Sequence, residues 1–394
     1  MTAPPPQSAP TAATEVSFRP LALGSSAAAF VLIGTTASLF GPLLDTFARH
    51  FHLSVPTAGE VLSVFFAGGL FGVLLTWVGL KRYSGRAVLA VDLAVLSVGA
   101  LGASLVHPWA IFLCCIFVVG LGYGGLDMAL NVLLARTQLK GRARRLSVVN
   151  AGFGLGAVMG PVLIIAVHPR HFGLLFGGVA LVAIALATLT RGVHAPPLRA
   201  EENQRRISQM KTERRPILAT FVAAYILYIC FETSSSGWLA TQVHGVGFSG
   251  SIASLATAGF WGGAAVSRMV GGPVHRVASD RQIVLGGLCV AAALALCSLV
   301  TPLAPYAYPA LGLAAGLIFP MGLVWYTVLC PHDSDGLSLM ILLMMSGGVI
   351  GPSTTGLMVS IFGVRAVPFV IASFALADAA VFTSALRFSP LITS

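Results

Sequence analysis

The sequence predicts an all-α membrane protein with twelve transmembrane helices in two pseudo-symmetric six-helix bundles. Three observations predict it. Apolar stretches of membrane-spanning length recur along the chain, Lys and Arg crowd one alternate set of loops, and a weak repeat relates the two halves. Of 394 residues, 56% are hydrophobic and 9% charged, with mean hydropathy +0.89, whereas a soluble domain is about 25% charged. No water-facing surface can be assembled from that composition.

A hydrocarbon core of ~30 Å takes about 20 apolar residues per helix. Stretches of that kind fall near 21–44, 57–80, 87–106, 110–134, 146–167, 173–190, 217–240, 252–273, 282–301, 307–329, 337–361 and 366–386. Between the sixth and seventh lies "RGVHAPPLRAEENQRRISQMKTERRP", the longest polar segment. The expected organisation is therefore a disordered cytosolic tail (1–20), an N-terminal bundle (21–190), a cytosolic linker (191–216) and a C-terminal bundle (217–388). The opening "MTAPPPQSAPTAATE" has no basic segment feeding a short apolar core, so it reads as a tail and not as a cleaved signal.

The net charge of +10 would suit nucleic acid only if the bases gathered on one face. Instead they sort by loop. Of 23 Lys and Arg, only Arg49, Arg170 and Arg365 fall on one side of the alternation, leaving 20 on the other, in runs such as "KRYSGR" and "RTQLKGRARR". That asymmetry is expected of a cytoplasmic-membrane protein with both termini cytosolic. No nucleic-acid partner is expected, and the lipid bilayer is. The six cysteines lie in or beside apolar spans without a C-x-x-C pair, and the nine histidines lie in loops or at span ends. Disulfides, a metal site and any cofactor are therefore not expected.

The repeat is short but placed consistently. "FAGGLFGVLLTWVGLKR" (66–82) aligns with "FWGGAAVSRMVGGPVHR" (260–276), and Gly160-Pro161 has a counterpart in Gly351-Pro352. Internal symmetry of this kind is typical of transporters built from repeated helix bundles. It also bears on "GLGYGGLDMALN" (120–131), whose G-x-G-x-x-G spacing would suggest a dinucleotide loop if a strand preceded it. Apolar spans surround it. Gly120 and Gly124, like Gly68 and Gly72, are four apart and lie on one helix face, where small residues let helices pack closely in lipid.

On these residues the chain resembles the major facilitator superfamily from about residue 21 to 388. The loop "GLKRYSGRA" (79–87) is similar to the superfamily's G-x-L-a-D-R-x-G-R-R motif, which implies a gating loop at Gly79, Arg82, Gly85 and Arg86; Arg82 stands where the family has an acid. "GLDMALN" resembles the L-E-T-x-x-N signature of the fucose:proton symporter-like group, with Asp127 for Glu and Asn131 for Asn, and "YILYICFETSSSGWLA" (225–240) and "GLIFPMG" (316–322) are similar to that group's seventh and tenth helices. The resemblance implies alternating access, a small polar solute of sugar type, and proton-coupled symport. A proton-driven exporter of amphipathic compounds is the alternative. The chain is expected to act as a monomer and not as an enzyme.

Thirteen acids exist in the chain, and an ionised Asp at a helix centre costs about 2.5–3.5 kcal/mol even on an insertion scale. Asp127 and Glu232 stand deepest. Tyr123, Asp127 and Asn131 repeat at i, i+4 on the fourth span, and Tyr228, Glu232 and Ser236 on the seventh, so each set forms one stripe. A carboxyl that is desolvated in one state and wetted in another can load and release a proton; one that hydrogen-bonds a neighbouring helix has a structural role instead. Asp127 and Glu232 are the expected proton-coupling residues. Asp45 and Glu60 end spans, and Asp92 and Asp378 lie on spans expected at the periphery. Tyr123, Asn131, Asn150, Tyr225, Tyr228, Trp238, Trp325 and Tyr326 offer hydrogen bonds and flat apolar faces to a solute, although a Trp near a span end is often a headgroup anchor. Arg268 is expected to snorkel or to cap a helix end.

Overall fold

The computed structural model describes residues 16–18, 20–135, 142–197, 215–275, 277–331 and 333–388. The N-terminal half holds α1 (Pro20–His50), the short α2 (Val55–Ala58), α3 (Glu60–Arg82), α4 (Gly85–Leu105), α5 (Trp109–Ala135), α6 (Arg142–Val167) and α7 (Phe172–Leu189). The C-terminal half holds α8 (Arg215–Gly245), α9 (Gly250–His275), α10 (Asp280–Cys297), α11 (Ala304–Ala315), α12 (Ile318–Leu329), α13 (Ser334–Met344), α14 (Ser346–Phe362) and α15 (Ala366–Ala385). Ten helical segments among the described residues are long and apolar enough to cross a membrane. The other two spans are α6, whose apolar part is Ala151–Val167, and the 26-residue α9.

The tenth and eleventh spans are each broken. α11 gives way to α12 at Gly316-Leu317, and α13 to α14 at Met345, which leaves backbone carbonyls at mid-span that need partners. α1 and α8 have 31 residues each, about 46 Å at 1.5 Å per residue. Both outrun a ~30 Å hydrocarbon core. Short loops alternate the spans, so α1 begins and α15 ends at one face, here called proximal; the far face is distal.

The internal repeat is a repeat of packing. In the first half α3 packs on α5, α1 on α6 and α4 on α7; in the second half α9 packs on α11, α8 on α14 and α10 on α15. Small residues make the closest of these contacts possible. A Cβ on Gly120 would strike the Phe65 carbonyl, and one on Gly68 the Phe117 carbonyl. In the second half Gly312 abuts the Phe260 carbonyl in the same way. The glycine spacing that resembles a nucleotide loop is thus a helix-packing seam, with α5 helical throughout. Between the halves, α6 packs on α9, α3 on α14 and α1 on α8.

One part of the expected tail and linker is ordered. Ser17–Phe18 (β1) pairs antiparallel with Val193–His194 (β2), Ser17 opposite His194 and Phe18 opposite Val193. The next residue, Ala195, accepts a hydrogen bond from the Gly85 amide at 2.8 Å through its carbonyl. A Cβ at Gly85 would meet Ala195 and Leu133, so this motif glycine lets the α3–α4 turn pack against the start of the linker and α5. Residues 1–15 and 198–214 of the tail and linker lie outside the described residues.

Candidate functional site

Two carboxyls, one from each half, share a neighbourhood. On α5 the Asn131 amide donates to the Asp127 Oδ1 at 3.1 Å and to the Asp127 carbonyl at 2.9 Å. On α8 the Tyr228 hydroxyl donates to Glu232 Oε1 at 3.0 Å. Both pairs are the i, i+4 stripes read from the sequence. Tyr123, one turn before Asp127, lies within electrostatic reach of both carboxyls, and its ring packs on Phe65 at 4.8 Å between centroids. Asp127 and Glu232 are neither fully buried nor exposed.

Arg268 of α9 adds the cation. Its Nη2 lies 4.0 Å from Glu232 Oε1, while its Nε donates to the Gly316 carbonyl at 3.2 Å. Gly316 follows the last residue of α11, so Arg268 does cap a helix end, the one that the break in the tenth span exposes. The proximity to Glu232 was not legible from sequence, because it depends on α8 and α9 being brought side by side. The resulting cluster holds Tyr123, Asp127 and Asn131 from one bundle and Tyr228, Glu232 and Arg268 from the other, that is, two carboxyls and one guanidinium.

The expected aromatic platform is differently placed. Trp238 is fully buried, and its ring fills the space beside Gly59 and Gly356. Trp325 stacks on Phe382 at 5.7 Å and 20°, with Phe221 edge-on. Tyr326 donates to Asp333 Oδ2 at 2.7 Å, and Tyr225 to the Phe319 carbonyl at 2.7 Å. Trp325, Tyr326 and Tyr225 hold helices of the C-terminal half together, whereas Trp238 wedges between the halves at Gly59 and Gly356; a large ring with a satisfied or enclosed polar tip fills interhelical gaps at low entropic cost. The side chain of Asn150 lies outside the described residues.

The remaining acids separate clearly. Asp92 accepts from the Thr76 hydroxyl at 3.0 Å, joining α4 to α3. Asp378 on α15 is fully buried, and neither carboxyl oxygen has a hydrogen-bond partner among the described residues. Asp45 was not expected to reach the other half, yet its Oδ2 lies 2.6 Å from His244 Nδ1. In the gating loop, Ser84 caps α4 through the Ala87 amide, Arg82 and Arg86 are exposed, and Gly79 sits beside Val88. No group of three metal-ligating side chains occurs among the described residues.

Contacts between the halves gather toward the distal face. Besides Asp45–His244, the Ser63 and Ser353 hydroxyls are 2.7 Å apart between α3 and α14, and a Cβ on Gly41 of α1 would meet the backbone of Ser236 and Gly237 on α8. The distal ends of α1 and α8 are thus drawn together.

Paired six-helix halves with an intramembrane carboxyl cluster between them define a multi-pass membrane transporter, not an enzyme. Residues 26–337 match the Major Facilitator Superfamily, and the chain belongs to that family. It is 31% identical over 284 residues to the "Probable nitrate/nitrite transporter NarK2" of Mycobacterium tuberculosis, covering 67% of this chain and 69% of that one. Among solved structures it resembles a bacterial homolog of the human lysosomal transporter Spinster in an inward-facing, occupied conformation (TM-score 0.78, 15% identity, 94% and 97% of the two chains). It also resembles the E. coli fucose:proton symporter FucP (TM-score 0.65, 17% identity, 92% and 98%). Identities this low show a shared fold, so the fucose-group resemblance rests on the short motifs around Asp127, Glu232 and Gly316.

Proposed function

We propose that the protein moves a small polar organic solute across the cytoplasmic membrane by alternating access, with proton symport, and that Asp127 and Glu232 carry the coupling. The observation that supports this most is that two carboxyls from opposite bundles both lie within electrostatic reach of Tyr123. Rocking of the bundles changes their separation and their access to water, and that is the condition for a carboxyl to exchange its proton with one side at a time. Arg268 gives Glu232 a partner when it is ionised, and the Tyr228 hydroxyl gives it another. Tyr123, Asn131 and Tyr228 are the residues proposed to meet the solute. The charge asymmetry of the loops supports a cytosolic proximal face, and the distal contacts support an inward-facing state.

The charge of the cluster favours a neutral or cationic solute, sugar-like in hydrogen bonding. A small anion would meet two carboxyls and a single guanidinium, and like charges at close range oppose binding. A second reading, transport of nitrate or nitrite, is favoured by the 31% identity to NarK2. A third, proton-driven export of amphipathic compounds, would use the same carboxyls in the opposite sense.

Reconstituted protein separates these readings. Under an inward pH gradient, labelled sugars and nucleosides are expected to accumulate in proteoliposomes and to show counterflow without the gradient, while nitrate does not. Nitrate uptake that ignores the sugars would replace the proposal with the second reading.

A further inference from the structure

The distal closure frames a second site, which is partly open to the outside. A cavity of about 760 Å³ lies between the ends of α1 and α6 from one bundle and α8 and α9 from the other, lined by Asp45, Arg49, His168, Arg170, Thr241 and His244. Its charge is opposite in character to that of the central cluster. The single carboxylate, Asp45, is held by His244 at 2.6 Å. Neither Arg49 nor Arg170 is ion-paired among the described residues, and Arg49 makes only a 3.5 Å contact to the Thr46 hydroxyl. Two exposed arginines therefore line one cavity without a carboxylate of their own.

One further feature has the same sign. Gly250 and Ser251 begin the 26-residue α9 and line the cavity, so the positive dipole end of that helix lies at its wall. The Ile252 amide is already capped by Ser249 Oγ at 3.3 Å, which leaves the Gly250 and Ser251 amides as the donors of that turn.

We propose that this distal cavity binds a small oxyanion, of the carboxylate, nitrate or phosphate class, and that the bound anion ties the two bundles together at that face. Arg49 and Arg170 supply charge-assisted hydrogen bonds from one bundle; the Gly250 and Ser251 amides of α9 supply donors from the other. The occupant thus stabilises the distally closed state and opposes its opening, because it binds fully only when both bundles are near. The site is independent of the central carboxyls and of what they transport. The same chemistry could be met by a free anion or by a phospholipid headgroup.

The experiment is thermal unfolding of the full chain in detergent, titrated with sodium phosphate or sodium nitrate against sodium chloride at matched ionic strength. It is joined by hydrogen exchange at the distal turns of α1 and α8. Saturable stabilisation and slowed exchange are expected with the oxyanion. Arg49→Gln/Arg170→Gln is expected to lower apparent affinity about tenfold or more. A parallel arm compares phosphatidylcholine with phosphatidylglycerol nanodiscs. Stabilisation by phosphatidylglycerol alone, lost in the double variant, assigns the site to a headgroup. Equal responses of wild type and the double variant to every anion and lipid, or no response at all, overturn the proposal.

Discussion

Asp45 and His244 lie 2.6 Å apart although 199 residues separate them, and the contact joins α1 of one bundle to α8 of the other. Both side chains are partly exposed, at 20% and 43%, so solvent screens the pair and its contribution is about 0–1 kcal/mol. Asp45→Asn is therefore expected to loosen the distal closure by at most about fivefold. The check is the rate at which a membrane-impermeant maleimide labels Ala240→Cys, a buried position lining the distal cavity. An unchanged rate would show that the pair does not hold the closure.

Asp127→Asn keeps the shape and the Asn131 contact of the α5 stripe but removes the titrating group. Accumulation driven by a pH gradient is expected to vanish while solute exchange remains measurable in the same proteoliposomes. Gradient-driven accumulation at the wild-type level would remove Asp127 from the coupling role.

Glu232→Gln leaves Arg268 without a carboxylate and is expected to weaken solute binding or coupling. Tyr228→Phe deletes one hydrogen bond to that carboxyl, worth about 1 kcal/mol, so a change of about fivefold in apparent affinity is expected from the milder variant. Transport assays over a range of solute concentrations distinguish the two effects. Wild-type affinity and coupling in both variants would give Glu232 a structural role only.

The seam between α3 and α5 should not tolerate volume. Gly120→Val would drive methyl groups into the Phe65 carbonyl and Gly68, where the obstacle is backbone and cannot rotate away. Overpacking of this kind costs about 1–3 kcal/mol, read as a lower unfolding temperature in detergent. Gly177→Val is the control, since nothing lies within 4 Å of a Cβ there.

Asp378 is expected to respond in the opposite direction. A fully buried carboxyl with neither oxygen hydrogen-bonded among the described residues carries a desolvation cost of about 1–3 kcal/mol. Asp378→Leu should therefore raise the unfolding temperature while leaving gradient-driven accumulation intact. Lost accumulation at a raised unfolding temperature would instead place Asp378 in the transport cycle.

The sequence by itself determined the solvent, the number of spans, the two-bundle repeat and the local i, i+4 stripes around Asp127 and Glu232. Each of these follows from composition or from spacing along one helix, and a helix fixes such spacings whatever surrounds it. The tertiary structure alone decided what lies between helices. It placed Arg268 beside Glu232 and on the Gly316 carbonyl, paired Asp45 with His244, ordered Ser17–Phe18 against Val193–His194, packed Trp325, Tyr225 and Tyr326 into the C-terminal half, and set Trp238 between the halves. Aromatic residues near span ends read alike whether they face a solute, a neighbouring helix or a headgroup, because only the rotation of each helix about its own axis separates the three. That rotation is set by the packing of whole faces, and single residues do not encode it.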